Sequence, residues 1–361
     1  MSVPLSENQR NELLPQSSHR RDWPAAGHLA RDRDSAYHRS RVTESTSTPN
    51  QRNPGRQIIA IVGPTASGKS ALGIEVARQL DGEIINCDSV QVYREIEIAT
   101  AKVPVAERRG IPHHLIDFVS PAVNFTAADW AREAVRKIQE IESRGKTALL
   151  VGGTGFYLRA LRQPFFPSPR TDEALRARLA RIRETRGPQH LHAILTRFDA
   201  DEAAKFSWRD WPRVQRAIEF YLQTGEQIST HRPLRESPGE HAARIKVFAL
   251  NPPREALYHL INARTEMHFA NGLVDEVRRL LDLGVPANSN ALGAHGYRRV
   301  VEHLRGERDL ESALEQTKLD VRHYAKRQLT WFRREPGVHW LGGFGEEPQI
   351  QERLLSLLRS E

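Results

Sequence analysis

The sequence holds a single cysteine, Cys87. One thiol excludes an internal disulfide framework and any zinc site built on cysteines, and it suits a reducing compartment. No uninterrupted apolar run reaches the ~18 residues of a membrane span. The first 56 residues lack the apolar core of a secretory signal. They also lack lysine while carrying nine arginines and six acids, and they show no sustained periodicity. Such a stretch is expected to be a disordered tail.

What remains is ample for a globular protein. The chain has 361 residues, 39% of them hydrophobic, enough to bury a core. That length suggests two domains, or one with appendages. The net charge of +8 points to an anionic partner without saying which.

Order is expected from Gln57. Ile58–Val62 is a short apolar run that predicts a strand buried on both faces. A glycine-rich turn and a helix over 69–80 follow. Further strands are expected at 83–88, 147–151 and 244–250, with a helix over 127–144. Strands alternating with helices predict an α/β fold with a parallel sheet. After the proline-rich breaker 164–169 the chain turns helical and charged. Residues 164–240 therefore read as a helical insertion domain within a core formed by 57–163 and 241–334. Residues 335–361 read as an acidic, peripheral C-terminal tail.

Gly63-Pro64-Thr65-Ala66-Ser67-Gly68-Lys69-Ser70 fits the phosphate-loop pattern, after a strand and opening a helix. Glycines let the backbone close around phosphate oxygens, and amide hydrogens at the helix start supply positive charge. Lys69 is placed to meet the distal phosphates and Ser70 to hold Mg2+. The pattern specifies a polyphosphate but does not make ATP the substrate. Asp88 follows the second strand, so it is expected in the same crevice. From position alone it could act as general base, metal ligand or helix cap. Cys87 is expected to face the sheet as a small apolar residue.

Taken in order, several motifs carry a resemblance. They are Gly63 to Ser70, Asp88-Ser89-Val90-Gln91-Val92-Tyr93, Ile98 to Lys102, and Gly152-Gly153-Thr154-Gly155-Phe156-Tyr157-Leu158. Arg213 to Glu219, Gly296-Tyr297-Arg298 and Ala325 to Arg333 continue the series. The chain resembles the tRNA dimethylallyltransferases, also called tRNA isopentenyltransferases, from about Ile58 to Leu341. The resemblance implies a P-loop NTPase-like core. It also implies transfer of a dimethylallyl group from dimethylallyl diphosphate to N6 of adenosine 37, in the anticodon stem-loop of tRNA. The phosphate loop then grips the diphosphate of the donor, with Mg2+.

By this resemblance Asp88 is the base, Thr154 contacts the reacting groups, and Arg264 lies near the diphosphate. From the residues alone, Thr154 could equally cap a helix and Arg264 could be a solvated surface residue. The resemblance assigns tRNA contacts to Asp88, Ser89, Val90, Gln91 and Thr154, and to Pro212, Arg213, Val214, Gln215 and Arg216. It adds Leu292, Gly293, Ala294, His295, Gly296 and Tyr297, and favours Arg176 in the insertion. Gln91 is chemically suited to an adenine edge. Along 318–334 an apolar face runs through Val321, Tyr324, Ala325, Gln328, Leu329 and Phe332, with Arg322, Lys326 and Arg333 on a stripe beside it. This stripe is a candidate for tRNA phosphates, against the alternative of an ordinary amphipathic surface helix. The chain departs from the family pattern at Phe206-Ser207-Trp208-Arg209-Asp210, at Gly293-Ala294-His295 and at Ala99. The resemblance further implies a cytoplasmic monomer with no membrane partner. A small-molecule P-loop kinase is the main competing reading, and an RNA-binding protein with a vestigial phosphate loop is another.

Overall fold

The computed structural model describes residues 56–360, apart from Pro167, Glu236 and Ser237; for residues 232–235 only the backbone is described. All of these fall in one compact unit, Arg52–Glu361. The tail expected over 1–56 thus lies outside the described residues, save Arg56.

β1 (Ile58–Val62) is buried at all five positions. Its even residues join one core with Ile85, Trp130 and Ile138, and its odd residues join another with Leu72, Leu149 and Phe248. This is the period-two alternation of a strand covered on both faces. The chain continues through α1 (Lys69–Gln79), β2 (Gly82–Asn86), β3 (His113–His114), α2 (Ala127–Ser143), β4 (Thr147–Val151) and α3 (Gly155–Arg162). Helix α2 starts with a reciprocal capping box between Thr126 and Asp129, which satisfies two amide groups that the first turn leaves open.

Four helices follow: α4 (Glu173–Arg186), α5 (Pro188–Phe198), α6 (Ala200–Ala203) and α7 (Trp211–Thr224). Leu179, Leu191, Leu195, Val214 and Ile218 in them are fully buried. The chain returns to the sheet at β5 (Ile245–Leu250), then forms α8 (Arg254–Ala270), α9 (Leu273–Asp282), α10 (Tyr297–Leu304) and α11 (Leu310–Phe332). β6 (Val338–Leu341) and α12 (Pro348–Arg359) close the described chain.

The six strands lie in the order β3-β2-β4-β1-β5-β6, with every pairing parallel. The step from β1 to β2 passes over β4, whereas the step from β4 to β5 passes over β1 in the other direction. This is a topological switch point, and it opens a crevice at the carboxyl ends of β1 and β4.

One expectation is corrected here. The segment 335–361 is not peripheral. Val338–Leu341 pairs with Val247–Leu250 as an edge strand, and Ile350 and Leu354 of α12 enter the core that packs on α1. Four residues reading Val-His-Trp-Leu are too short to announce a strand, and their partner lies about ninety residues earlier in the sequence.

Candidate functional site

The turn after β1 carries the phosphate loop. Gly63, Ala66 and Gly68 have positive φ, so successive amide groups curl inward toward the start of α1. Lys69 Nζ donates to the carbonyl of Pro64 at 2.6 Å. Burial, with the nearby charge of Arg264, pulls the Lys69 ammonium down to about 8, while Asp88 works the other way. The loop thus holds a cation at a cost that an arriving anion would relieve.

The end of β2 is braced from below. Trp130 is fully buried, donates its indole N–H to the Asn86 carbonyl at 2.8 Å, and stacks on Tyr157 at 4.8 Å between ring centroids. Asn86 Oδ1 accepts from the Asp88 amide at 3.1 Å. Asp88 Oδ1 in turn accepts from the amides of Val90, at 2.9 Å, and Gln91, at 3.4 Å. One carboxylate oxygen therefore fixes the turn, and no hydrogen bond among the described residues engages the other. Cys87 is buried, as expected, and burial pushes its thiol well up.

The turn after β4 meets the turn after β2. Thr154 stands at the N-cap position of α3 yet makes no side-chain capping bond. Its Oγ1 accepts from the Ser89 amide at 3.0 Å and lies 3.3 Å from Ser89 Oγ. Tyr324 lines the same cavity as Thr154, and its phenol is pushed up mainly by burial and by the charge of Asp88. Of its two sequence-level readings, then, the structure turns Thr154 toward Asp88–Ser89.

Gln328 joins both loops. Its Oε1 accepts from the Thr65 amide and its Nε2 donates to the Gly153 carbonyl, each at 2.9 Å. A Cβ on Gly153 would overlap that same amide nitrogen, so a larger residue there would displace the Gln328 link between the loops. Sequence reasoning left Gln328 without a role. The available signal was a polar amide on an otherwise apolar helix stripe.

Lys69, Ser70, Asp88, Thr154, Arg264 and Tyr324 line one cavity of about 1320 Å³. Arg264 reaches it from α8, with its guanidinium lowered by burial and supported by the charge of Glu346. His268, one turn further on, is held neutral at about 4 by burial and by Arg264. Among the described residues no cluster of three or more His, Cys, Asp and Glu side chains is placed to hold a metal. The cavity's hard oxygens, the Ser70 hydroxyl and the Asp88 carboxylate, suit a Mg2+ ion that keeps waters and takes its other ligands from a polyphosphate.

A second cavity of about 2160 Å³ lies beneath the inserted helices and is lined by Arg213, Arg216, Lys326, Arg327 and Arg334. Phe125, Thr126, Ala127, Phe156 and Asn290 line both cavities. The basic cleft thus runs on into the anion cavity.

Other sequence-predicted contacts divide. Gly293, Ala294, His295 and Gly296 line the anion cavity. Ser89, Val90 and Gln91 line it too, but Gln91 Nε2 donates to the carbonyls of Thr100 and Ala101 at 3.0 and 3.2 Å. Its amide hydrogens shape the loop rather than facing a base. Val214, Leu292 and Tyr297 are fully buried, which corrects the expectation that they touch RNA. The Tyr297 hydroxyl donates to Glu276 at 2.6 Å and accepts from the Ala99 amide, so it anchors the 97–101 segment. Gln215 is buried and donates to Glu219 at 3.1 Å. Arg176 lines the basic cleft and makes a bidentate pair with the buried Glu219, at 2.9 and 3.0 Å. Pro212 and Arg213 are exposed, although Arg213 pairs with Asp210 at 3.0 Å. Arg216 binds Ser168 and the Pro169 carbonyl. On α11, Arg322 donates to Asn262 at 2.8 Å, while Lys326 and, just past the helix end, Arg333 are exposed with no ion pair among the described residues.

Comparison with known proteins agrees with this geometry. Residues 91–335 match the IPP transferase family. The chain is 47% identical to a tRNA dimethylallyltransferase of Solibacter usitatus, over 82% of this chain and 95% of that one. Among solved structures it is similar to the tRNA isopentenylpyrophosphate transferase of Bacillus halodurans. That match has a TM-score of 0.62 and 36% identity, and covers 84% of this chain and 97% of the other. A eukaryotic dimethylallyltransferase solved acting on tRNA aligns with a TM-score of 0.70 and 27% identity, over 85% and 78% of the two chains.

Proposed function

Because the chain belongs to the IPP transferase family, that of the tRNA dimethylallyltransferases, we propose that it transfers a dimethylallyl group from dimethylallyl diphosphate to N6 of adenosine 37 in tRNA. The observation that carries this reading is the meeting of Asp88 and Thr154 with Lys69 in one cavity that continues into a basic cleft.

The chemistry follows from what each group can do. The loop amides of 63–70, Lys69 and Arg264 hold the diphosphate and stabilise the charge it gains on leaving. When bound, Mg2+ at Ser70 adds charge neutralisation on the same oxygens. The exocyclic amine of adenine is a weak nucleophile, since its lone pair is shared with the ring. As nitrogen attacks the allylic carbon, the carbon–oxygen bond to diphosphate breaks. The amine proton passes to Asp88, whose unengaged oxygen is positioned to take it. The Thr154 hydroxyl, held by Ser89, orients the reacting groups. The base leaves its stack to reach this point through the opening shared by the two cavities. The inserted helices and the exposed cations of α11 hold the anticodon stem-loop. We assign the helical insertion domain to 164–240, and the working form to a cytoplasmic monomer.

The test is direct. Purified protein with Mg2+ and labelled dimethylallyl diphosphate should label unmodified tRNA carrying adenosine at position 37. Absence of label, with phosphate transfer from ATP to a small molecule instead, would favour the kinase reading.

A further inference from the structure

The C-terminal segment that follows β6 does more than extend the sheet. Its loop lies against the phosphate loop, where the Gly345 amide donates to the Ser67 carbonyl at 2.9 Å. A Cβ on Gly68 would stand 2.8 Å from the Gly345 nitrogen and 3.1 Å from the Glu346 carboxyl carbon. The Glu346 carboxylate is therefore adjacent to the first residues of α1, whose amide groups and dipole favour an anion. Glu346 lines the same cavity as Lys69, Ser70 and Arg264.

The loop is held there from behind. Phe344 packs with Ala66 and Tyr258 against Leu257, Ile261 and Ala325. Its amide donates to Glu347 at 2.8 Å, and Gln351 donates to the Gly345 carbonyl at 3.2 Å. The backbone is thus fixed, while the Glu346 side chain is exposed and makes no hydrogen bond or close ion pair among the described residues. Its charge nonetheless supports the partly buried guanidinium of Arg264.

We propose that Glu346 is a resident anion of the diphosphate site: it offsets the cavity's cations and swings away when diphosphate arrives. A carboxylate beside the helix start competes with the incoming ligand and favours its departure. Glu346 thereby sets donor affinity and the ease of diphosphate release. The alternative is that Glu346 helps hold the metal, in which case its charge would strengthen binding.

This inference rests on reading residues 63–70 as the diphosphate cradle, and one titration separates the two. Inorganic diphosphate with Mg2+ is titrated calorimetrically into the unaltered protein, Glu346→Gln and Glu352→Gln. Glu352 is an exposed acid on α12 outside the cavity, so it controls for net charge. The expected result is a Kd about fivefold lower for Glu346→Gln, the scale of one charge at a helix terminus, with Glu352→Gln unchanged. Weaker or equal binding by Glu346→Gln, or an equal gain from Glu352→Gln, overturns the proposal. If the unaltered protein binds no diphosphate, the cradle itself is misread and the proposal falls with it.

Discussion

The anion cavity and the basic cleft both collect cations, but they hold them differently. In the cavity, Lys69 and Arg264 are desolvated, and among the described residues no carboxylate lies within ion-pair distance of either. In the cleft, most arginines are already paired: Arg176 and Arg216 with Glu219, Arg213 with Asp210, Arg159 with Glu335. Charge available to a ligand is therefore not the charge counted in a sequence. Several of the insertion's arginines thus hold helices together, whereas Lys326 on α11 is exposed with no ion pair among the described residues.

The sharpest way to break this contrast is at the reacting groups. Asp88→Ala should lower prenyl transfer by about 10³-fold, the range of a lost general base, while tRNA affinity in a filter-binding assay stays within about threefold. Near-normal turnover would remove Asp88 from the base role. Lys69→Ala should weaken diphosphate binding by about 30-fold, as expected for a charge-assisted contact of about 2 kcal/mol.

pH sharpens the same point. Burial pulls Lys69 down to about 8, and only its protonated form attracts diphosphate. Affinity should be flat below that pH and fall by up to about tenfold per pH unit above it, with a proton taken up on binding. Calorimetry in buffers of different ionisation heat would show the uptake, and Lys69→Met should abolish it.

In the cleft, Arg176→Ala leaves the buried Glu219 with Gln215 and the more distant Arg216. It should lower stability by about 1–3 kcal/mol, read as a lower Tm, and leave the salt dependence of tRNA binding unchanged. Lys326→Ala should do the reverse. Tm should hold, while the slope of log affinity against log salt drops by about one. If Arg176→Ala moves the slope and Lys326→Ala does not, the division of the two regions is wrong.

How much of this was legible follows from distance along the chain. β1, the phosphate loop, the Asp88 turn and the Gly152–Gly155 turn are local patterns, and each stands where strand–turn–helix reading puts it. Their convergence followed from parallel topology. The Arg176–Glu219 pair was illegible because its partners are 43 residues apart on different helices. On α11 the six Lys and Arg over 318–334, against one Asp, were countable, but not which of them face outward. β6 and the Glu346 loop were missed because a four-residue edge strand leaves almost no periodicity to read.

The central claim is that this cavity joins a prenyl diphosphate to a tRNA base. The most direct measurement incubates the protein with labelled dimethylallyl diphosphate and two otherwise identical tRNAs, one with adenosine at position 37 and one with guanosine there. Label in the first alone, with diphosphate released in equal amount, is the predicted result. Label in neither, or in both alike, would contradict it.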